Sequence, residues 1–377
     1  MLDPFLVHGE FQLILILFFL FVFVIQIIYY TLFYLKLAFY KESETGGKKE
    51  GVSVVICARN EYNQLKENLP LILEQEYPDF EVVVVNHASE DETSFLLAGM
   101  ATQYPHLKIV EIKENLNFFD GKKFPLSIGI KSAANDIILL TDADCKPVSR
   151  NWIELMASGF TGNKEIVIGY GAYAKRSGLL NRIIRFNTVQ IALQYLSFAL
   201  SGIPYMGVGR NMAYRKSLFY EQKGFTSHYD ILSGDDDLFI NRSASKKNTQ
   251  IVIIPDSFTI SEPKKKVKEW WAQKKRHLST GRYYKLKHKL LLGLYAFSLI
   301  FFYLSFALLL VLQYNFFIVL ALFIIRMALQ LFIYKRILNR LNEKGIWFFV
   351  PFFEIFMILI NFVLSISTLV TKESKWK

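Results

Sequence analysis

Long apolar stretches lie at both ends of the chain, and shorter periodic segments fill its middle. Residues 11–39 are an almost unbroken apolar and aromatic run in which Lys36 is the one charge. The run exceeds the ~20 residues needed to cross a bilayer and predicts a membrane anchor over residues 1–45. A cleaved signal peptide is not expected. The run is too long, Asp3 and Glu10 precede it in place of Lys or Arg, and no small-residue cleavage site follows. Lys41, Lys48 and Lys49 come next, so the positive-inside rule places the following segment in the cytoplasm.

After a short polar linker at 46–51 the pattern changes. Residues 52–57 are apolar but for Ser53, as in a strand buried on both faces. Residues 63–75 have helical spacing, and 80–86, 107–112 and 136–141 read as three further strands separated by helical stretches. This alternation predicts an α/β fold over 46–262, with a mostly parallel sheet flanked by helices. Ligands in such sheets sit at the C-terminal ends of the strands, which singles out Asn60, His87 and residues 141–144.

Residues 179–205 are apolar again, but Arg182, Arg185, Asn187, Gln190 and Gln194 interrupt them. That is the pattern of an amphipathic helix lying in a membrane interface. Three more spans are expected at 290–312, 315–334 and 347–370, within a C-terminal membrane region over 290–377. The basic stretch 335–344 belongs on the cytoplasmic side, which leaves Lys372, Lys375 and Lys377 outside.

Composition narrows the class. A chain of 377 residues that is 52% hydrophobic, with 34 Phe and 20 Tyr, is not an ordinary soluble domain. The net charge is +11, and the segment 263–289, with eleven Lys or Arg against Glu269, supplies nearly all of it. Beside a hydrophobic span, such a segment reads as an anionic-lipid contact. No nucleic-acid-binding module accompanies it, and nucleic acid is not an expected partner. Cys57 and Cys145 offer no disulfide framework.

Four clusters carry candidate chemistry. Asp142 and Asp144 directly follow an apolar strand, where two carboxylates at this spacing can reach one Mg²⁺ or Mn²⁺. The second cluster is Asp235, Asp236 and Asp237, whose mutual repulsion raises carboxyl pKa values. It suits a general base, and equally the start of a helix. Lys122 and Lys123 precede a helical stretch at 125–134, where a lysine can meet a diphosphate as a point charge or stand in a solvated loop. In the fourth, Gln273, Arg276 and His277 share one face of a probable helix. Trp270 and Trp271 stand beside them, and a plain lipid-binding helix is the alternative. Arg326 and Glu354 lie inside predicted spans, where charges are functional candidates or structural partners of one another.

Taken in order, VSVVICARNE at 52–61, VVVNHASEDET at 83–93, GKK at 121–123, TDADC at 141–145, GRN at 209–211, SGDDDL at 233–238 and QKKRH at 273–277 form a recognisable set. The segment 51–281 resembles glycosyltransferase family 2, which has the GT-A fold. The membrane layout is similar to that of ceramide glucosyltransferases and polysaccharide synthases. The resemblance implies that Ala58, Asn60 and Glu61 lie in the loop receiving the nucleotide. It makes Asp142 and Asp144 the metal and diphosphate motif, and Asp236 the catalytic base with Asp235 before it. Gln273 and Arg276 match a Q-x-x-R-W motif that closes over diphosphate and acceptor.

This sequence departs from the pattern twice. His87 replaces an Asp that usually contacts the base or ribose, so the donor is a UDP-sugar with a GDP-sugar left open. His277 replaces the final Trp, so acceptor identity does not carry over. The expected activity is inverting sugar transfer to a lipid or lipid-linked glycan, in an integral protein of the plasma membrane with its catalytic part in the cytoplasm. A processive polysaccharide synthase, an inactive membrane scaffold and a transporter are the alternatives.

Overall fold

The computed structural model describes residues 4–42, 49–113 and 121–370; residues 46–48 of the linker and Lys372, Lys375 and Lys377 lie outside them. The chain opens with helix α1 (Pro4–Ile28), which a π-helical turn (Tyr29–Tyr34) carries into α2 (Leu35–Ala38). The βα pattern then follows in the expected places: β1 (Val52–Ala58), α3 (Tyr62–Leu73), β2 (Phe80–His87), α4 (Thr93–Gln103), β3 (Leu107–Ile112), α5 (Lys123–Ser132) and β4 (Ile137–Leu140). The later part of this region holds β5 (Cys145–Pro147), α6 (Trp152–Ala157), β6 (Ile166–Ile168), β7 (Gly171–Tyr173), α7 (Leu179–Leu200), β8 (Met212–Arg215), α8 (Lys216–Glu221), α9 (Asp237–Ser243), β9 (Thr249–Ile251) and β10 (Thr259–Ser261). Four helices close the described chain: α10 (Val267–Ser279), α11 (Leu286–Val311), α12 (Phe316–Arg340) and α13 (Val350–Val370).

Seven strands form the main sheet in the order β3-β2-β1-β4-β8-β6-β9. Strands β1 to β4 pair in parallel, while β8 runs antiparallel to both β4 and β6. All seven residues of β1 are buried because this strand has a neighbour on each edge and cover on each face. Val54 and Ile56 face a core built with α3, α4 and α6, whereas Val55 and Cys57 face α5 and α7. A second, three-stranded sheet in the order β5-β10-β7 stands beside the C-terminal end of β4.

Helix α7 is the one read from residues 179–205, and it is packed rather than surface-lying. Asn181, Arg185, Asn187 and Ser197 on it are all buried. Arg185 donates from Nε to Glu343 at 2.8 Å and from Nη2 to the Lys344 carbonyl at 2.8 Å. Phe186 stacks on Tyr334 of α12 and meets Phe353 of α13. One apolar cluster therefore runs from Val55 and Leu126 through α7 to Ile337 and Met357. Of the polar residues that suggested an interface helix, Arg185 and Asn187 are buried in the protein, Gln190 and Gln194 are half-buried, and Arg182 is exposed.

Among the described residues, four helices are long and apolar enough to cross a membrane: Gly9–Ala38, Leu286–Val311, Phe316–Arg340 and Trp347–Thr368. Helix α12 continues to Arg340, so the stretch 335–344 read as a basic loop begins as the last turns of that helix. Helix α13 packs against α10 as well as α12 and α7. Arg326 and Glu354 are both fully buried and form a two-pronged pair, Nη1 to Oε2 at 2.8 Å and Nη2 to Oε1 at 3.0 Å. Gln26 Oε1 accepts from Arg326 Nη2 at 3.0 Å, and the Tyr303 hydroxyl donates to Glu354 Oε2 at 2.6 Å. The pair thus ties α1, α11, α12 and α13 together, as expected of a structural partnership between neighbouring spans.

Removing one member of a buried ion pair strands the other charge, at about 3–5 kcal/mol. Arg326→Met and Glu354→Leu are each expected to lower the thermal midpoint of the detergent-purified protein sharply. The double variant should recover most of the loss. Two independent, additive losses would show that the pair does not hold the helices together.

Candidate active site

The site forms where β4 ends. The Thr141 hydroxyl donates to the Arg210 carbonyl at 3.0 Å, and Asn68 Nδ2 donates to the Ala143 carbonyl at 3.1 Å. The following turn brings oxygen atoms of Asp142 and Asp144 and the sulfur of Cys145 within 4.8 Å of one another. Lys122 reaches this turn from the start of α5. Its ammonium is bonded to the Asp142 carboxylate and lies 3.8 Å from Asp235 Oδ2. Gly121 makes this approach possible. Its φ is +114°, and a Cβ there would lie 2.8 Å from the Leu232 carbonyl oxygen.

The second acidic cluster caps α9. Asp236 accepts from the Gly209 amide at 2.8 Å and, through Oδ1, from the Asp237 amide at 2.7 Å. Asp237 turns the other way. It accepts from the Tyr284 hydroxyl at 2.7 Å and from the Thr280 hydroxyl, both just beyond α10. Residues 237–240 form the first helical turn read from sequence, and Asp236 is its N-cap and lines the cavity.

Charge is uneven across the site. Burial, followed by Asp235 and Asp237, pushes Asp236 up to about 7. Burial and then Asp142 raise Asp144. Burial works against Asp142 too, but the Lys122 ammonium outweighs it and holds that carboxyl below the usual range. Burial, then Arg276 and Lys274, push His277 down to about 3, so its imidazole is neutral.

Arg210 and Tyr173 complete the wall. The Arg210 guanidinium sits 4.3 Å over the Tyr173 ring and donates to the Ala172 carbonyl at 3.2 Å. Gln273 Nε2 donates to the Tyr173 hydroxyl at 3.2 Å, which docks α10 on this edge. All these groups surround one cavity of about 780 Å³. It is lined by Glu61, Lys122, Asp142, Asp144, Asp235, Asp236, Gln273, Arg276 and His277, nine of the residues expected from sequence.

Four others lie elsewhere. Ala58, Asn60 and His87 stand at the ends of β1 and β2 and do not line this cavity. Asn60, in the left-handed region at φ 56°, holds the two strand-end loops together: its amide donates to Ser89 Oγ and its Oδ1 accepts from the Glu90 amide. Lys123 is corrected from a diphosphate contact to a structural one. Its buried ammonium donates to the carbonyls of His228 at 2.9 Å, Ser233 at 2.6 Å and Ile231. Arg210, Tyr173 and Lys274 belong to the cavity and were not singled out from sequence, whereas Asp237 was read there as part of the second acidic cluster. For Arg210 the GRN triplet was the available signal; the others have none in one sequence.

A family model described as glycosyl transferase family 21 matches residues 18–377, nearly the whole chain. The chain belongs to glycosyltransferase family 21. The matching model is that of family 21 in place of the family 2 of the sequence resemblance. Among relatives, an uncharacterized glycosyltransferase of Haemophilus influenzae is 31% identical over 32% of this chain and 36% of its own length. A poly-β-1,6-N-acetyl-D-glucosamine synthase of Staphylococcus epidermidis is 30% identical over 25% of this chain and 22% of its own. The chain therefore matches well under half of either relative. The mannosyltransferase PcManGT of Pyrobaculum calidifontis, solved with GDP-mannose and Mn²⁺, superposes with a TM-score of 0.61 at 19% identity. That similarity covers 96% of this chain and 99% of that one, and it establishes the GT-A fold across both the sheet and the long helices.

The raised pKa of Asp236 has a consequence for this family 21 protein's stability. An unfolded chain would ionise Asp236 in the ordinary carboxylate range, whereas the folded one holds its proton up to about 7. Stability present at low pH is then lost as pH rises through that value. Asp236→Asn removes the loss. Its unfolding midpoint should exceed that of the unmodified protein at about pH 8 and converge with it near pH 4. A difference independent of pH would show that Asp236 does not titrate in this way.

Proposed function

We propose that the chain is an inverting, metal-dependent glycosyltransferase acting on the cytoplasmic face of the plasma membrane. It moves a sugar from a nucleotide-diphosphate sugar to a lipid or lipid-linked glycan. The observation that carries this reading is the arrangement of two acid clusters on one cavity. One holds a carboxyl pushed to about 7, and the other a carboxylate pair that Lys122 neutralises only at Asp142. A UDP-sugar is the first donor to test and a GDP-sugar the second, since the mannosyltransferase of the same fold binds GDP-mannose.

The residues present fit a divalent Mg²⁺ or Mn²⁺. Asp142 and Asp144 are hard oxygen donors, and among the described residues no ammonium or guanidinium is ion-paired with Asp144. Cys145, the third member of the group, keeps its proton because burial and then Asp144 raise its pKa, and it shares a 2.9 Å hydrogen bond with Ser261 Oγ. Asp142 and Asp144 would hold the metal, which offsets charge on a leaving diphosphate. Asp236 accepts the proton of the acceptor hydroxyl. The hydroxyl oxygen then bonds to the anomeric carbon as the bond to the diphosphate oxygen breaks, and this single displacement inverts the configuration. Lys122, Arg210 and Arg276 face the leaving group, while Gln273 braces α10 against Tyr173. Ala58, Asn60 and His87, beside the cavity at the strand ends, and Glu61 on its wall would receive the nucleoside.

A processive synthase is the second reading, favoured by the Staphylococcus epidermidis relative. Both are tested with a panel of UDP- and GDP-sugars offered to sealed membrane vesicles of each orientation. Inside-out vesicles should release nucleoside diphosphate from one donor. The release should need divalent metal, stop with chelator and be absent in Asp144→Asn. Product length then separates one addition from many. Release in the presence of chelator, or only from right-side-out vesicles, would overturn the metal site or the orientation. Hydrolysis of no donor at all would leave a scaffold or transporter.

Arg276 tests the α10 assignment separately. A planar guanidinium can fork onto a diphosphate, and a lysine cannot imitate it. Arg276→Lys should cut kcat roughly 10²-fold or more while membrane association holds, since a transition-state contact of this kind is worth on the order of 2–4 kcal/mol. Lys275→Gln should change kcat little. Equal losses in both variants, in proportion to lost membrane binding, would reduce this segment to a lipid anchor.

A further inference from the structure

Four basic side chains of the described residues are buried: Lys123, Arg185, Lys274 and Arg326. Three have partners in the protein. Lys123 lies on three carbonyls, Arg185 is paired with Glu343, and Arg326 with Glu354. Lys274 is only 7% exposed, lines the catalytic cavity, and has no hydrogen-bond or ion-pair partner among the described residues. Its ammonium is not sealed off within the protein and opens on the cavity, where a ligand can supply the anion that the protein does not.

Its position shows which ligand. The donor end of the cavity has Asp142 and Asp144, and Arg276 and Arg210 act electrostatically on them. Lys274 feels none of the acids, and burial alone lowers its pKa, to about 8. It stands one helical turn from Trp270 and one from Leu278, on the face of α10 beside that of Gln273 and Arg276. The same cavity is also lined by apolar side chains, Ile184 and Ile191 from α7 and Leu292 from α11, one of the helices long enough to cross a membrane.

We infer that Lys274 is the seat of an anionic group on the acceptor, set between the hydroxyl that Asp236 deprotonates and an apolar chain entering between α7 and α11. The acceptor class this selects is a phosphate-bearing lipid-linked glycan rather than an uncharged lipid alcohol. The phosphate is a linker and not the nucleophile, because a phosphate oxygen would need no base. This rests on the transferase reading above and deepens it.

The test measures binding and needs no turnover. The full-length protein in phosphatidylcholine nanodiscs is titrated with dodecyl phosphate, dodecanol, inorganic phosphate, and nucleoside diphosphate with Mn²⁺. Dodecyl phosphate should bind at least about tenfold more tightly than dodecanol or inorganic phosphate, the factor expected of a charge-assisted contact. Lys274→Met should abolish the advantage over dodecanol, Lys274→Arg should retain part of it, and neither should alter nucleoside diphosphate binding. In the unmodified protein, dodecyl phosphate should shield Lys274 from acetylation, read by mass spectrometry, which serves if a variant fails to fold. Equal binding of dodecyl phosphate and dodecanol, an advantage that survives Lys274→Met, or unshielded acetylation would overturn the proposal. A matching loss of nucleoside diphosphate binding would do so as well, moving Lys274 to the donor end. If no nucleotide-sugar is ever hydrolysed while dodecyl phosphate still binds through Lys274, the transferase reading fails and the anion seat stands.

Discussion

One ammonium group holds the site together. Lys122 is bonded to Asp142 and lies 3.8 Å from Asp235, so it bridges acid clusters that come from distant parts of the chain. Without it, carboxylates gathered on one cavity wall would repel one another across a poorly hydrated space. The bridge is selective. It stabilises the charge of Asp142 and leaves Asp144 and Asp236 above the ordinary carboxylate range. The same contact that closes the site thus sorts its acids into one that stays ionised and two whose charge awaits a partner. The conformation of Gly121 makes this reach possible, because only a residue without a Cβ fits against the Leu232 carbonyl there.

The cavity also depends on how the sheet meets the long helices. Helix α7 buries both its apolar residues and its polar ones, Arg185 against Glu343 and Phe186 against Tyr334. It forms a continuous apolar cluster with the α5 side of the sheet and with α12 and α13. A wall packed on both sides can support a cavity whose one end is acidic and whose other end is apolar. Ile184 and Ile191 line that cavity from the same helix that fastens the sheet to the long helices.

Much of this was legible from sequence, for identifiable reasons. Strand β1 has neighbours on both edges and a core on both faces, and such a strand is apolar at nearly every position; its one exception, Ser53, donates to Glu81. Asp142 and Asp144 were found because a carboxylate pair straight after a buried strand is conspicuous. The neighbours Lys122 and Lys123 were not distinguishable. Adjacent residues at a helix start point to different sides, and only the fold shows that one meets Asp142 while the other meets the 228–233 carbonyls. Helix α7 was read as surface-lying because periodicity cannot separate a membrane interface from a protein interior, both of which are apolar with scattered polar positions. Lys274 stood in a basic run whose net charge suggested lipid, and its burial has no sequence signal.

Asp236 and helix α10 are mechanically one unit. Asp236 is oriented by amides of Gly209 and Asp237, and the Asp237 side chain accepts from Thr280 and Tyr284 directly after α10. Helix α10 is tied at its middle through Gln273 to Tyr173, whose ring carries the Arg210 guanidinium. Any shift of α10 on meeting a substrate therefore moves the environment of Asp236 as well as Arg276. Hydrogen bonds to buried carboxylates are among the stronger ones available, since their loss leaves a charge or a proton without a partner. Helix α13 packs against α10 too, so the segment facing the reaction is held between the acid clusters and a helix long enough to span a membrane. One set of hydrogen bonds thus fixes both the seat of Asp236 and the end of α10.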